Sequence, residues 1–256
     1  MSVAVRSALP SALYLGEFIG ELNEGANFLD RLSRGDRTTV RGLGRPLRFA
    51  RGETVFLQGQ PHDGIFLIET GVVRSYYTAP TGREITLAYW TPGHFVGGPE
   101  MFRGGLHIWS GVAVEDCTLL YLSGASIRRL VERLPQFAIC LIEGLVAKSK
   151  CYSALAQMLG TRSAMERLAQ LLIILGQICG KQEANRLVIE RKVTHDQLAT
   201  IVGATRQWIT ATLDRFQRKG IINVARQTIV IERPDLLFEM VKGAYGLPNV
   251  SRNSQG

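Results

Sequence analysis

The chain has 256 residues, 46% apolar and 20% charged, which is ordinary for a globular protein and long enough for two domains. No apolar run reaches the roughly 20 residues that a membrane span needs, and the N-terminus lacks the apolar stretch of a secretory signal. We therefore expect a cytoplasmic protein without a membrane partner. Its net charge of +8 favours a partner that is a polyanion.

The first 40 residues are expected to form one or two short helices, around 12–22 and 26–32, and then a basic loop. From residue 45 to about residue 122, short β-rich runs alternate with glycine-containing turns. The predicted strands are residues 54–57, 65–69, 72–77, 84–90, 111–114 and 118–122. Many short strands at this spacing favour a β-barrel or sandwich.

A short helix is predicted over 125–132 and a long one over 134–159. Apolar positions in the long helix recur at alternating steps of four and three, the period of a coiled-coil seam. The seam consists of Leu134, Ala138, Leu141, Leu145, Lys148, Tyr152, Leu155 and Leu159. The pattern predicts that the helix pairs with its twin in a homodimer; the alternative is a helix lying on its own barrel.

Gly160 breaks this pattern, and Ser163 with Glu166 reads as a capping box that opens a new helix. The sequence therefore predicts a hinge at 160–163, followed by a helix to about residue 178 and a polar loop at 180–183.

The C-terminal part has the pattern of a helix-turn-helix. A capping box at Thr194 opens a helix over 195–202, a Gly203-containing turn follows, and Thr205 caps a second helix. Ile209, Leu213 and Phe216 form the inward stripe of that second helix. Strands at 221–225 and 228–231 suit a β-hairpin wing, and the tail at 243–256 is expected to fray.

The positive charge is concentrated in the same region. Residues 191–226 hold seven basic and two acidic residues, a net +5 of the +8. The four cysteines, Cys117, Cys140, Cys151 and Cys179, are too far apart in sequence for a typical metal or iron–sulfur site, so we expect reduced, mostly buried thiols. No hydrolase, metalloprotease or P-loop signature is present, so we do not expect an enzyme.

In this order and spacing the residues resemble the Crp–Fnr family, relatives of the cyclic-AMP receptor protein, over about 45–236. The landmarks are Gly52-Glu-Thr-Val-Phe-x-x-Gly59, Asp63-Gly-Ile-Phe-x-Ile-x-x-Gly71-x-Val, Gly82-Arg-Glu, Pro92-Gly93-x-Phe-x-Gly97 and Leu198-Ala-x-x-Val-Gly203-Ala-Thr-Arg206. The resemblance implies a transcription regulator with a jelly-roll sensor, a dimerising helix and a DNA-reading domain whose position depends on an effector.

The predicted fold class is therefore α+β, with four segments. They are N-terminal helices and an effector-sensing barrel (1–133), a dimerisation helix and hinge (134–162), a winged helix-turn-helix (163–242) and a flexible tail (243–256). Expected partners are double-stranded DNA with a pseudo-palindromic site, a second copy of the chain and RNA polymerase.

A helix-turn-helix presents the N-terminus of its second helix to DNA. Arg206, Gln207 and Thr210 are the candidates for base edges, and Thr205 for a phosphate. Backbone contacts are expected from His195, Arg218, Lys219 and Arg226. Relatives usually carry an acidic residue at position 207 and an arginine at position 211, so their customary half-site is not expected here.

In nucleotide-binding relatives, a glycine-glutamate and an arginine-serine grip ribose and cyclic phosphate. Here Gly98 replaces the glutamate and Ile108-Trp109 replace the arginine-serine, which disfavours cyclic AMP because apolar groups cannot pair with a phosphate. We expect instead a small apolar or aromatic effector that stacks on Trp109 and pairs with Lys148. The candidate effector residues are Gly97, Gly98, Met101, Phe102, Ile108, Trp109, Ser110, Lys148 and Tyr152.

Other possibilities stay open at this point. The effector cassette could be plain packing, His94 and His107 could ligate haem, or the barrel could serve only for dimerisation in a constitutive DNA binder. No cofactor is otherwise expected, and the sequence does not identify the effector.

Overall fold

The computed structural model describes residues 28–98, 100–183, 185–189, 193–225 and 228–242. The chain divides into two compact units, 1–156 and 157–256. Among the helices described, none is long and apolar enough to cross a membrane.

The first unit is built on antiparallel strands whose order in space differs from their order in the chain. One sheet has the order β1-β10-β4-β7, the other the order β2-β9-β5-β6, and β3 pairs with β8. The strands are β1 (Arg45–Phe49), β2 (Thr54–Phe56), β3 (Pro61–His62), β4 (Gly64–Thr70), β5 (Val73–Thr78), β6 (Glu84–Trp90), β7 (Phe95–Gly97), β8 (Gly105–Leu106), β9 (Ser110–Ala113) and β10 (Cys117–Ser123). This crossover pattern is that of a jelly roll, and the predicted α+β class is confirmed.

All six predicted strands are present, and four more were missed. The segment before the barrel also differs from the prediction, because α1 (Arg34–Leu43) is a helix where a basic loop was expected. Ser33 caps this helix, and Val40 is its buried residue. Residues 28–32 form a turn rather than a helix, and the helix predicted at 12–22 lies outside the described residues.

The barrel is followed by α2 (Gly124–Arg133) and the long α3 (Pro135–Thr161). Phe137, Cys140 and Leu141 of α3 join a core with strands β4, β7 and β10. The helix approaches the barrel so closely at Gly144 that an added Cβ would lie 2.5 Å from the ring of Phe95.

Two residues of the predicted seam on α3 are already buried within the single chain. Leu141 and Leu155 are buried at 4% and 6% exposure, and Tyr152 contacts the ring of Trp109 in the barrel. The exposed apolar residues include Leu145 of the predicted seam and, beside it, Ile139, Ile142 and Val146. A step pattern of four and three does not say which neighbour each apolar position meets, and here Leu141 meets the barrel of its own chain while Leu145 stays exposed.

The predicted hinge begins too early. Gly160 lies inside α3, which continues to Thr161, and Arg162 still donates its N–H to the carbonyl of Met158. A single glycine costs a helix only about 1 kcal/mol, so Gly160 alone does not end it. The break comes at Ser163, whose capping box with Glu166 is confirmed.

The second unit packs helices on one four-stranded sheet with the order β11-β12-β14-β13. Its elements are α4 (Ala164–Cys179), β11 (Gly180–Glu183), β12 (Arg186–Ile189), α5 (His195–Val202), α6 (Arg206–Arg218), β13 (Ile222–Ala225), β14 (Thr228–Ile231) and α7 (Pro234–Lys242). The predicted loop at 180–183 is in fact β11, an edge strand whose polar side chains face water. The tail at 243–256 lies outside the described residues.

Candidate functional site

The second helix of the helix-turn-helix, α6, divides its residues as predicted. Ile209, Leu213 and Phe216 are at most 2% exposed. Thr205 caps the helix by accepting a hydrogen bond from the Trp208 N–H at 3.1 Å. Arg206 and Gln207 are exposed on the first turn, so their side chains are available to a partner.

The first turn of α6 is tied to the start of α5 by two contacts. Arg206 Nη1 lies 3.5 Å from Asp196 Oδ2, and His195 Nδ1 lies 2.8 Å from the hydroxyl of Thr210. Asp196 was not predicted as a site residue, because nothing in its sequence neighbourhood indicates a contact across the turn. Thr210 is half-buried and already bonded, which makes it a poorer candidate for a base contact than the sequence indicated.

The other predicted basic residues lie elsewhere. Arg218 and Lys219 are exposed at the far end of α6, about 18 Å along the helix from Arg206 at 1.5 Å per residue. They are therefore suited to a different part of the DNA backbone from the one that His195 would meet. Arg226 lies outside the described residues.

The predicted effector cassette does not form one cluster. Met101 is buried in the core with α2 and α3, whereas Phe102 and Ile108 are 42% and 53% exposed. Ser110 is buried and accepts a hydrogen bond from the N–H of Gln58. Trp109 of the barrel contacts Tyr152 of α3, with ring centres 5.8 Å apart, and Lys148 lies one turn before Tyr152 on the same helix.

Lys148 sits among aromatic rings in the same unit. Its Nζ lies 3.7 Å from the ring centre of Trp90 and 4.8 Å from that of Phe95. Removal of the ammonium from water lowers the pKa of Lys148 to about 7. Sequence reasoning placed Trp109 against this lysine and missed Trp90 and Phe95, which come from the buried end of β6 and from β7.

Polar atoms without a partner surround the same rings. His94 lies beside Trp90, and its Nε2 makes no hydrogen bond with any described residue, nor does the hydroxyl of Tyr152. Burial, with a smaller effect of the Lys148 charge, lowers the pKa of His94 to about 4. We call Trp90, His94, Phe95, Lys148, Tyr152 and Trp109 the ring cluster.

A second group of rings lies near Gly98, where the glutamate of nucleotide-binding relatives was expected. A Cβ built on Gly98 would lie 2.0 Å from Cε1 and Nε2 of His62, so the imidazole fills the space of a side chain there. His62 stacks near His107, with ring centres 4.7 Å apart, and His107 stacks on Phe56 at 4.5 Å. Both nitrogens of His62 and Nδ1 of His107 lack a hydrogen-bond partner among the described residues.

Within the described residues, no group of three or more histidine, cysteine or carboxylate side chains is arranged to hold a metal ion. Cys117, Cys140 and Cys151 are buried free thiols, and burial raises the pKa of all three. The side chain of Cys179 lies outside the described part.

Comparison with known proteins matches both units. Residues 46–134 match the family described as Cyclic nucleotide-binding domain, and residues 166–240 match the Crp-like helix-turn-helix domain. The chain is 27% identical to the CRP-like cAMP-activated global transcriptional regulator of Mycobacterium tuberculosis, over 75% of this chain and 86% of that protein. It is 28% identical to the Cyclic AMP receptor protein of Thermus thermophilus, over 76% of this chain and 87% of the relative.

A solved structure shows the same fold. It is that of the c-di-GMP responsive global regulator CLP of Xanthomonas campestris, with a TM-score of 0.70 and 18% identity over 78% of this chain and 99% of that one. The chain described here has a Crp-like helix-turn-helix, a β-rich nucleotide-binding-like domain and curated relatives that share both. Together these findings place the chain in the Crp–Fnr family of transcription regulators.

Proposed function

We propose that the protein is a homodimeric DNA-binding regulator whose activity responds to a small apolar or aromatic molecule rather than to cyclic AMP. The observation that carries the proposal is the division of α3 into two apolar faces. One face packs on the barrel through Phe137 and Leu141 and is followed along the helix by Lys148 and Tyr152, which lie near barrel rings, and the other face is exposed.

The exposed face supports the dimer. Ile139, Ile142, Leu145 and Val146 are 42–60% exposed and recur at the spacing of one helix face. An exposed apolar stripe of this kind is typical of an interaction surface. When the helix pairs with the same helix of a second copy, the stripes of both copies become buried. The seam we propose therefore centres on Ile142 and Val146 instead of Leu141 and Lys148.

A dimer with two-fold symmetry brings two copies of α6 to DNA. We propose half-sites about one helical turn, ~34 Å, apart, read by Arg206 and Gln207 from the exposed first turn. Thr205, His195, Arg218 and Lys219 are proposed to contact phosphates, as is Arg226 on the basis of the sequence.

The ring cluster supports the small-molecule response. Lys148 has no carboxylate partner in the described part of the chain, and the Tyr152 hydroxyl and His94 Nε2 are also unpaired there. An aromatic body between Trp90 and Trp109, with an acidic group on Lys148, would satisfy these groups. Of the predicted cassette, we keep Trp109, Lys148 and Tyr152 as the contacts. We also keep Gly97, Gly98 and Ser110 as part of the wall of the proposed binding site. The support is weaker for Phe102, Ile108 and buried Met101.

The neighbourhood of Gly98 supports a ligand other than a cyclic nucleotide. The curated relatives above are named for cyclic AMP, and a cyclic phosphate needs charged or hydrogen-bonding groups around it. Here the space beside Gly98 is taken by His62, and Ile108 is exposed.

A binding screen tests the effector proposal. Isothermal titration of the dimer with benzoate, 4-hydroxybenzoate and cyclic AMP should give a signal with an aromatic acid and none with cyclic AMP at micromolar concentration. Trp109→Ala and Lys148→Gln should lose the signal, whereas Lys150→Gln, on the exposed side of the same helix, should keep it.

Other outcomes point to the alternatives. Binding of cyclic AMP at micromolar concentration contradicts the proposal. Unchanged DNA affinity with every ligand, together with no small molecule in native mass spectrometry, would indicate a constitutive binder. A haem mass in that spectrum would indicate the haem alternative.

Two further parts of the proposal rest on the family alone. A regulator that acts on transcription is expected to meet RNA polymerase and to work in the cytoplasm, where the DNA is. Co-elution of the protein with polymerase on promoter DNA tests the first of these.

A further inference from the structure

The first residue of α5 contacts α6 close to the start of that helix. His195 Nδ1 lies 2.8 Å from Thr210 Oγ1. The same hydroxyl donates to the backbone carbonyl of Arg206 at 3.1 Å, the bond of a threonine to the residue four positions earlier. The three residues therefore form a short relay from the start of one helix to the start of the next.

The geometry of the relay indicates which nitrogen of His195 carries the proton in the neutral ring. A hydroxyl has one hydrogen, and the bond to the Arg206 carbonyl uses it. The 2.8 Å contact is then made by the N–H of Nδ1, which donates to Thr210 Oγ1. In the neutral ring Nε2 consequently bears a lone pair, and this nitrogen makes no hydrogen bond with the described residues.

A lone pair cannot bind a phosphate oxygen. Both are acceptors, so neutral His195 would be repelled by the DNA backbone at Nε2, whereas the imidazolium would donate to it. Histidine is the side chain whose charge ordinarily changes between pH 5 and 8. A phosphate contact at this position therefore requires the uptake of a proton.

The charges around His195 allow this. Asp196, the next residue of α5, and Arg206 across the turn carry opposite charges, and they lie 3.5 Å apart and partly offset each other. Both are more than 60% exposed and are screened by solvent. The phosphate is then the decisive new charge when DNA arrives.

We propose that His195 is a proton-linked phosphate contact and that Thr210 is a positioning residue that sets its tautomer, rather than a reader of bases. DNA binding takes up a proton at His195 Nε2, so affinity rises as the pH falls. This inference rests on the proposed DNA-binding function.

The test measures affinity against pH. A duplex is selected by the wild-type protein from a random-sequence library at pH 7, and its Kd is measured by fluorescence anisotropy from pH 5.5 to 8.5 at constant ionic strength. As the pH is lowered through this range, wild-type affinity should rise by up to tenfold per pH unit for each recognition helix. His195→Gln, which offers a neutral N–H donor, should bind with little pH dependence.

Two threonine variants separate the relay from simple loss of structure. Thr210→Val keeps the shape but removes the hydroxyl, so His195 is free to place its proton on Nε2 and the pH slope should shrink. Thr210→Ser keeps the hydroxyl and should retain the wild-type slope. Neither should change which bases are preferred in a second selection.

Three results would overturn the proposal: a flat wild-type profile, an equal slope in His195→Gln, or an undiminished slope in Thr210→Val. Failure to select any duplex is distinguishable from these, since it would contradict DNA binding itself.

Discussion

Lys148 is the residue at which stability and the proposed sensing function oppose each other. Its amine is held against Trp90 and Phe95, and burial lowers its pKa from 10.5 to about 7. Contacts between a cation and aromatic rings offset part of the desolvation, by about 2 kcal/mol when the cation is desolvated. Under the proposed function, the remainder is the cost of keeping a polar group available for an acidic ligand.

We therefore expect Lys148→Met to stabilise the protein. Methionine fills the space without an amine to desolvate, so the free energy of unfolding at pH 7 should rise by about 1 kcal/mol or more. Because folding lowers the pKa of Lys148, wild-type stability increases as the pH rises from about 7 towards 10.5, and the advantage of the variant should shrink at pH 9. Urea unfolding at the two pH values measures this, and a variant less stable than wild type at pH 7 would contradict it.

His94 makes the stability of the protein depend on pH because the ring is buried, and not because it takes part in a salt bridge. Its pKa is about 4 in the folded protein and 6.5 ordinarily, mainly because of burial. Between these pH values the unfolded chain binds a proton that the folded chain does not, so stability is lost as the pH falls through that window. The loss should approach about 3 kcal/mol and level off below pH 4.

The matched variant for this prediction is His94→Gln. Its free energy of unfolding should show a smaller fall between pH 6.5 and pH 4, whatever its stability at neutral pH. The pKa of His107 is also lowered to about 4, by burial and by His62. His107 therefore contributes in the same direction, and it remains in the variant. An identical fall in both proteins would show that His94 does not titrate in this way.

At the scale of elements, α3 is expected to carry the dimer on the stripe centred on Ile142. Ile142 is 60% exposed, so Ile142→Asp should leave the fold intact while placing a charge in the seam. We expect a shift from dimer to monomer at micromolar concentration in sedimentation velocity, with matching circular dichroism. Gln136→Asp, in the first turn of the same helix, is the control and should remain dimeric.

Elements with strong local signals could be predicted from the sequence. The capping residues Ser163, Thr194 and Thr205 marked three helix starts, and each accepts the expected backbone hydrogen bond. The edge strand β1 was missed because it is short and carries two arginines, and the edge strand β11 because it is short and polar. Helix α1 was missed because Val40 is its buried residue in an otherwise basic segment. Such elements are stabilised by neighbours that no local pattern reveals.

The candidate sites could be predicted only in part for the same reason. Arg206 and Gln207 follow from the helix period around Ile209, and both are exposed as expected. His62 lies against Gly98, and Lys148 lies against Trp90, although these pairs are 36 and 58 positions apart in the sequence. Only the strand pairing and the path of α3 bring them together.

At the scale of the whole molecule, we expect DNA binding to separate into reading and attachment. Arg206→Ala should relax base preference at one position of each half-site, at about 1–3 kcal/mol per lost bidentate contact. Lys219→Ala should weaken binding to all DNA sequences alike. It should also reduce the slope of log affinity against log salt concentration by the equivalent of about one phosphate contact for each subunit. Competition assays at several salt concentrations distinguish the two, and an unchanged preferred site in Arg206→Ala would place the reading face elsewhere.

The imidazole of His62 beside Gly98 also constrains how this chain could change over time. Gly98→Glu alone would drive a new side chain into the His62 ring, since a Cβ there lies 2.0 Å from it. The His62 ring would have to move aside or be replaced by a smaller residue, and a smaller residue by itself leaves a void that costs stability. The two substitutions are each unfavourable alone and compatible together, so the route to a glutamate at this position passes through a less fit intermediate. Such a barrier tends to keep the residues at positions 62 and 98 as they are.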